Sequence, residues 1–91
     1  SEAAALLLAQ CRRSQKRWGD ACDVIAPIAA ALDVDGLTSH AESLYRAGRF
    51  EPALQTAMRA LSLKIDHAPA HSWMGFAFQK LGMPAEAVEC M

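Results

Sequence analysis

Runs of apolar and small residues alternate with short polar interruptions marked by glycine and proline, and these interruptions delimit the elements. Gly48 and Gly82 each follow an apolar-rich run, where a glycine ends a helix in a left-handed or open conformation at little cost. Pro52 and Pro84 stand in the first turn of the next helix, and Pro69 does the same after Asp66 and His67; a missing N–H is harmless there. The pattern predicts six helices, over about 2–14, 18–32, 37–47, 51–64, 69–81 and 84–91. Pro27 falls inside the second, where it removes a hydrogen bond and should bend or split the helix. Alanine is plentiful while Val, Ile, Thr and aromatics are sparse, which favours helix over strand throughout. An all-α fold is expected.

Superposing the chain on itself yields one strong register, at a period of 34. Gly48 falls on Gly82, Ala53 on Ala87, and Glu42 and Tyr45 fall on Phe76 and Gln79. Each copy reads as helix, glycine-marked turn, helix. Ala41 and Gly75 are the small residues of the first helix in each copy, and Ala53 and Ala87 their counterparts in the second. Small residues there let antiparallel helices approach closely, and a bulky side chain would overpack the contact. Residues 1–33 read as a degenerate earlier copy, because Trp18 to Ala21 repeats the spacing of Phe50 to Ala53 at an offset of 32. The chain thus divides into three units: a degenerate N-terminal helical hairpin (1–33), a full repeat (34–67) and a partial repeat (68–91).

The stretch from Ala60-Leu61-Ser62-Leu63 through Ala68-Pro69-Ala70-His71 to Met74-Gly75, Gly82 and Ala87 resembles the tetratricopeptide (TPR) repeat family, over residues 34–91. Spacing carries the resemblance better than residue identity does. Ile65 stands where that family usually has proline, His71 where it often has tryptophan, and Pro84 where an aromatic follows the glycine, although Phe50 keeps the aromatic in the first copy. The resemblance implies antiparallel hairpins stacked as a short right-handed solenoid, with one face of each first helix lining a concave groove for a partner peptide or helix. Carried over position by position, the groove residues are Gln10 and Arg13; Thr38, Glu42, Tyr45 and Arg46; and Ser72, Phe76, Gln79 and Lys80. An aromatic ring, a phenol and three cations on one surface suit a segment with apolar anchors and some acidic groups. The carboxylate clamp of chaperone-tail binders is missing: its places hold Leu6 and Gln10, Thr38 and Glu42, and Ser72 and Phe76.

Composition narrows the reading. At 53% hydrophobic residues in 91 positions, the chain either packs very efficiently or leaves an apolar face for a partner. A net charge of −1 gives no pull toward nucleic acid or an anionic membrane. Cys11, Cys22 and Cys90 are an odd, scattered set, which fits thiols in a reducing, cytoplasmic setting better than a disulfide framework. Leu7-Leu8-Ala9-Gln10-Cys11 has the outline of a lipoprotein cleavage site, yet it lacks a basic segment ahead of it and carries Glu2 instead. Cys22 and Cys90 read as small core residues, Trp18 and Trp73 as core rings, and His40 as a packed, hydrogen-bonded histidine.

Candidate chemistry changes little. Arg12, Arg13, Lys16 and Arg17 read first as cations complementing a helix C-terminus. His67 and His71 stand four apart, but His67 precedes Pro69 and need not share a helix face with His71, and no supporting carboxylate or cysteine has ligand spacing. No nucleophile with a base, phosphate loop or acid pair is present, so the expectation is a non-enzymatic chain with no catalytic residue, metal or cofactor. The function expected is a protein–protein interaction module, a scaffold or adaptor. Two narrower alternatives share the architecture: a TPR-like type III secretion chaperone sequestering a needle or translocator subunit, and an interior segment of a longer repeat array that self-associates. Met91 falls partway along the last helix with no polar cap, which leaves that helix open to hetero-complex formation or self-association.

Overall fold

The computed structural model describes residues 2–82. Five α-helices run through them: α1 (Glu2–Ser14), α2 (Trp18–Ile25), α3 (Val34–Arg46), α4 (Phe50–Leu63) and α5 (Ala68–Lys80). No strand occurs among the described residues, so the all-helical class is as expected. The sixth expected helix, over 84–91, with Cys90 and the contact of Gly75 with Ala87, lies outside the described residues.

The helix expected over 18–32 splits near Pro27, as that residue requires, while one other boundary moves by more than a residue. α2 leaves α geometry at Ile25 and continues as a 3-10 helix, Ala26–Ala31, with Pro27 in its first turn. Proline lacks the N–H that an α-helix would use there, and the tighter helix accommodates that loss. The next helix starts at Val34, not at 37, because the Asp33 carboxylate accepts the Gly36 N–H at 2.8 Å and caps it. Gly36 is thus in the first turn of α3 and not in a loop.

The turns repeat more faithfully than the sequence does. Gly48 and Gly82 have φ of +83° and +73°, and Lys16 takes the same left-handed conformation at +59°. Lys16 N–H donates to the Arg13 carbonyl and Arg17 N–H to the Arg12 carbonyl; Gly48 to Tyr45 and Arg49 to Leu44 do the same 32 residues later. Gly82 N–H donates to the Gln79 carbonyl. This is the paired-bond helix ending that closes the last open carbonyls of a helix. The residues that then start α2 and α4, Arg17 and Arg49, share φ of −94° and have ψ of 69° and 74°.

Lys16 is the one non-glycine residue in this conformation among the described residues. Replacing Lys16 with glycine should therefore stabilise the chain by up to about 1 kcal/mol, whereas Gly48→Ala should cost about 1–2 kcal/mol through backbone strain alone. A Cβ on Gly48 would meet no described atom within 4 Å, so packing plays no part. Urea unfolding midpoints of the two variants should move in opposite directions; a shift in the same direction would refute the shared turn geometry.

Helices pack in chain order, each on the next, and α3 also packs on α5. The core is rich in alanine. Ala41, Leu54, Ala57, Met74, Ala77 and Phe78 join α3, α4 and α5, while Leu37, Ala60 and Ala70 close the far end of the same three helices. Ala9, Ala21 and Ile25 join α1 to α2. Cys22, Leu44 and Ala53 bind α2 to the second hairpin, so Cys22 is the small core residue expected of it. Cys11 is exposed.

Leu6, Leu7 and Leu8 stay largely exposed on α1, as do Leu63 and Ile65 at the end of α4 and the turn after it. Among the described residues no helix is long and apolar enough to cross a membrane.

Candidate functional site

Side chains of α1, α3 and α5, with Trp18 of α2 and Phe50 of α4, form one connected array. Glu42, near the end of α3, accepts hydrogen bonds from Arg13 of α1 and, at 3.0 Å, from Arg46 one turn along its own helix. All of Glu42's charge is thereby matched within the fold. The Arg46 guanidinium lies 5.2 Å from the centre of the Trp18 ring and 5.7 Å from that of Trp73, with Arg13 at 6.0 Å from Trp18. At these distances the ring quadrupoles attract the cations.

Tyr45 is the hub of the aromatic half. Its ring centre stands 5.4 Å from Phe50, 5.5 Å from Trp73 and 6.0 Å from Phe76, in edge-on and tilted arrangements. Trp73 and Phe76 meet edge-on at 5.6 Å. Such geometries add to area burial. Yet Phe76 remains 44% exposed, and Tyr45, Trp73, Trp18 and Phe50 are only half-buried. Tyr45 and Trp73 rest on the core with one side and, with the exposed Phe76, form an aromatic surface with the other.

Five residues expected in the groove are thus brought together: Arg13, Glu42, Tyr45, Arg46 and Phe76. Gln10, Gln79 and Lys80 are exposed on the same three helices, and Ser72 is exposed with its hydroxyl donating to the Ala68 carbonyl at 3.3 Å. Thr38 departs from expectation. It is buried, and its hydroxyl donates to the Val34 carbonyl at 2.8 Å, so it offers nothing to a ligand. The turn of α3 that carries Thr38 is enclosed by its neighbours: Leu37 beside it packs on Ala60 of α4 and Ala70 of α5.

Trp73 packs against the core of α3, α4 and α5, as expected, and Trp18 is partly buried on α2; the open edges of both rings flank Arg46. The signal that identifies Trp73 is its place three residues before Phe76, on the same helix stripe. Trp18 carries no such signal, because it reaches Arg46 only through the packing of α2 on α3.

The basic cluster disperses into pairs. Arg17 binds Asp20 at 2.6 Å, Arg12 reaches Gln15 at 3.2 Å, and Arg13 joins Glu42. Arg49 binds Asp23 at 2.9 Å and so ties the start of α4 to α2. His71 Nε2 stands 2.7 Å from the Ile65 carbonyl, and His67 Nε2 lies 3.8 Å from Asp35. The two histidines therefore serve different neighbours.

No family model, no curated protein and no solved structure matches this chain. Its own geometry has to carry the functional reading.

His40 is buried as expected but is not hydrogen-bonded through Nδ1, which finds no partner among the described residues. Burial lowers its proton affinity from the ordinary value of 6.5, and the nearby cations Arg59 and Arg49 lower it further. The unfolded chain, whose histidine titrates normally, then binds more protons than the folded chain between the lowered value and about 6.5. Stability from this group is complete above that window and is lost as pH falls through it. The melting temperature should drop between neutral and mildly acidic pH, and His40→Leu should flatten that dependence. An equal slope in the variant would show that His40 is solvated and normal.

Proposed function

We propose that this chain is a TPR-type module that holds a segment of another polypeptide across α1, α3 and α5, on the face carrying Arg13, Tyr45, Arg46, Trp73 and Phe76. The carrying observation is the aromatic array: Tyr45 touches Phe50, Trp73 and Phe76, the last exposed and the others partly so, beside an arginine set between two indoles. A fold that needed these rings only for stability would gain by burying them, since each large ring removed from water contributes roughly 1.5–3 kcal/mol. Aromatic rings and arginine are the residues that dominate protein-binding surfaces.

The recurrence of one turn geometry at Lys16, Gly48 and Gly82 supports the repeat reading. Val34 and Ala68, which open α3 and α5, stand at the 34-residue spacing that the resemblance requires. Arg13, Arg46 and Lys80 outnumber Glu42 on this face, so the segment it suits has apolar anchors with flanking carboxylates. In this reading the chain is an adaptor or scaffold. Its work is done by contact area and not by bond chemistry.

The test is capture. The immobilised chain should retain a defined partner from its native host, and Tyr45→Ala combined with Phe76→Ala should abolish that retention. Phe76 is exposed and Tyr45 is partly buried beside Cys22, Leu44 and Ala53, so the double variant should lose some thermal stability yet keep its helical circular dichroism signal well below its melting temperature. Retention of the same partner at the same level by a folded double variant would place binding on another surface.

A further inference from the structure

Arg46 is an exposed cation that the fold orders without occupying its binding edge. Its guanidinium lies 5.2 Å from the centre of the Trp18 ring and 5.7 Å from that of Trp73, so it is flanked from α2 and from α5. Its Nε–H donates to a Glu42 oxygen at 3.0 Å. Among the described residues that is the guanidinium's only hydrogen bond, on a side chain 47% exposed. A guanidinium presents its N–H donors as a fixed, planar fork, and here the donors of the two terminal nitrogens are left for a partner. An arginine already held by its neighbours also loses less rotamer freedom on binding than a free one.

The charge around Arg46 is unbalanced by one. Glu42 gives one oxygen to Arg13 and the other to Arg46, and no second carboxylate among the described residues pairs with either arginine. Two guanidiniums against one carboxylate leave a single positive charge beside an aromatic surface. Trp73 joins the two parts: it flanks Arg46 and meets the exposed Phe76 edge-on at 5.6 Å. A group bound there would touch a cation and an apolar ring within one short stretch of chain.

We infer that the terminal nitrogens of Arg46 receive one side-chain carboxylate of the bound segment, whose apolar neighbour in sequence lies on Trp73 and Phe76. This assignment rests on the proposed binding function and narrows it to an acidic residue adjoining an aromatic or large aliphatic one. One carboxylate brings the local charge to zero, and the planar fork matches its two oxygens. A phosphate dianion would overshoot that balance, and an ammonium would face two arginines. A chain-terminal carboxylate fits the position less well. Arg46 belongs to α3, with Arg13 of α1 on one flank and Phe76 of α5 on the other, so a segment ending at Arg46 would leave part of the array uncovered. The receiving group is Arg46 itself; the carboxylate-clamp places on α3 hold the buried Thr38 and the already paired Glu42.

The probe is a dipeptide of glutamate and phenylalanine with both ends blocked, titrated into the full chain at low ionic strength. Binding is followed by ¹H–¹⁵N NMR shifts of the Arg46 Nε–H and the indole N–H groups of Trp18 and Trp73. Saturable shifts at Arg46 and Trp73 are expected. The glutamine analogue, equal in shape and uncharged, should bind about tenfold more weakly, because charge-assisted paired hydrogen bonds exceed neutral ones. The glutamine analogue with a free C-terminus carries only a chain-terminal carboxylate and should not recover the difference. Arg46→Lys keeps the charge and loses the fork, so it should remove most of the preference for glutamate over glutamine while the circular dichroism signal stays helical. Should that variant not fold, the wild-type comparison decides the matter. Absent saturable shifts, equal affinities for the two blocked peptides, full recovery by the free terminus, or an unchanged preference in folded Arg46→Lys would each overturn the assignment. Any of these, obtained while partner capture still depends on Tyr45 and Phe76, would refute the role of Arg46 and leave the groove reading standing.

Discussion

Phe78→Ala is expected to cost about 3–5 kcal/mol, the range for truncating a buried phenylalanine. Phe78 is 4% exposed and packs with Ala41, Leu54, Ala57, Met74 and Ala77, so it touches all three helices of the second hairpin and its successor. Those neighbours are fixed by their own helices and cannot collapse fully into the space left behind. For a chain of this length the total stability is roughly 5–14 kcal/mol, so the loss takes a large share of it. A shift of about 4–8 °C per kcal/mol then puts the melting temperature tens of degrees lower. Phe76→Ala, two residues earlier on the same helix but 44% exposed, should cost less than about 1 kcal/mol. Thermal melts of the two variants by circular dichroism provide the comparison. Equal losses would mean that α5 is rotated from the orientation described, and the open aromatic face would fail with it.

Ala53→Leu is the second large effect, in the opposite steric sense. Ala53 is fully buried against Leu44 of α3 and Cys22 of α2, where α2 meets the second hairpin. A leucine there has no room without pushing those helices apart, and overpacking of this kind costs about 1–3 kcal/mol. Gln55→Leu, two residues on and exposed, should stay within about 0.5 kcal/mol of wild type. Cys22→Ala combined with Ala53→Leu should recover part of the loss, because the smaller side chain vacates space at the same contact. Strictly additive effects in urea melts would show that positions 22 and 53 do not share a boundary.

Glycine and proline placement made most of the helix boundaries legible. Gly48 and Gly82 mark left-handed turns, and Pro27 marks the point where α2 tightens into a 3-10 helix. Two local features were harder to read. Lys16 adopts a conformation its side chain disfavours, so nothing in its identity announces the turn. Gly36 suggested a loop, yet the Asp33 carboxylate three residues earlier draws it into α3.

The candidate site was only partly legible. Arg13, Glu42, Tyr45, Arg46 and Phe76 follow from the positions that the family resemblance picks out, and their side chains meet in one array. Thr38 has an equivalent place and turns inward, because the face a helix residue presents depends on how the whole helix is rotated against its neighbours. Trp18 and Trp73 look like core residues by type, and Trp73 does pack on the core, but only the packing shows that an edge of each ring flanks Arg46.

What the sequence by itself determined is the helical class, the number of hairpins among the described residues and the positions of their bends. These depend on backbone preferences that act within a turn or two of chain. What only the tertiary structure decided is which side chains meet across α1, α3 and α5, the matching of Glu42 by two arginines, and the burial of Arg13 Nε and His40 Nδ1 without a hydrogen-bond partner among the described residues. Arg13 and Glu42 are 29 residues apart, and their contact depends on the angle and depth at which hairpins dock. Those are properties of packed side-chain shapes, which helical periodicity does not specify.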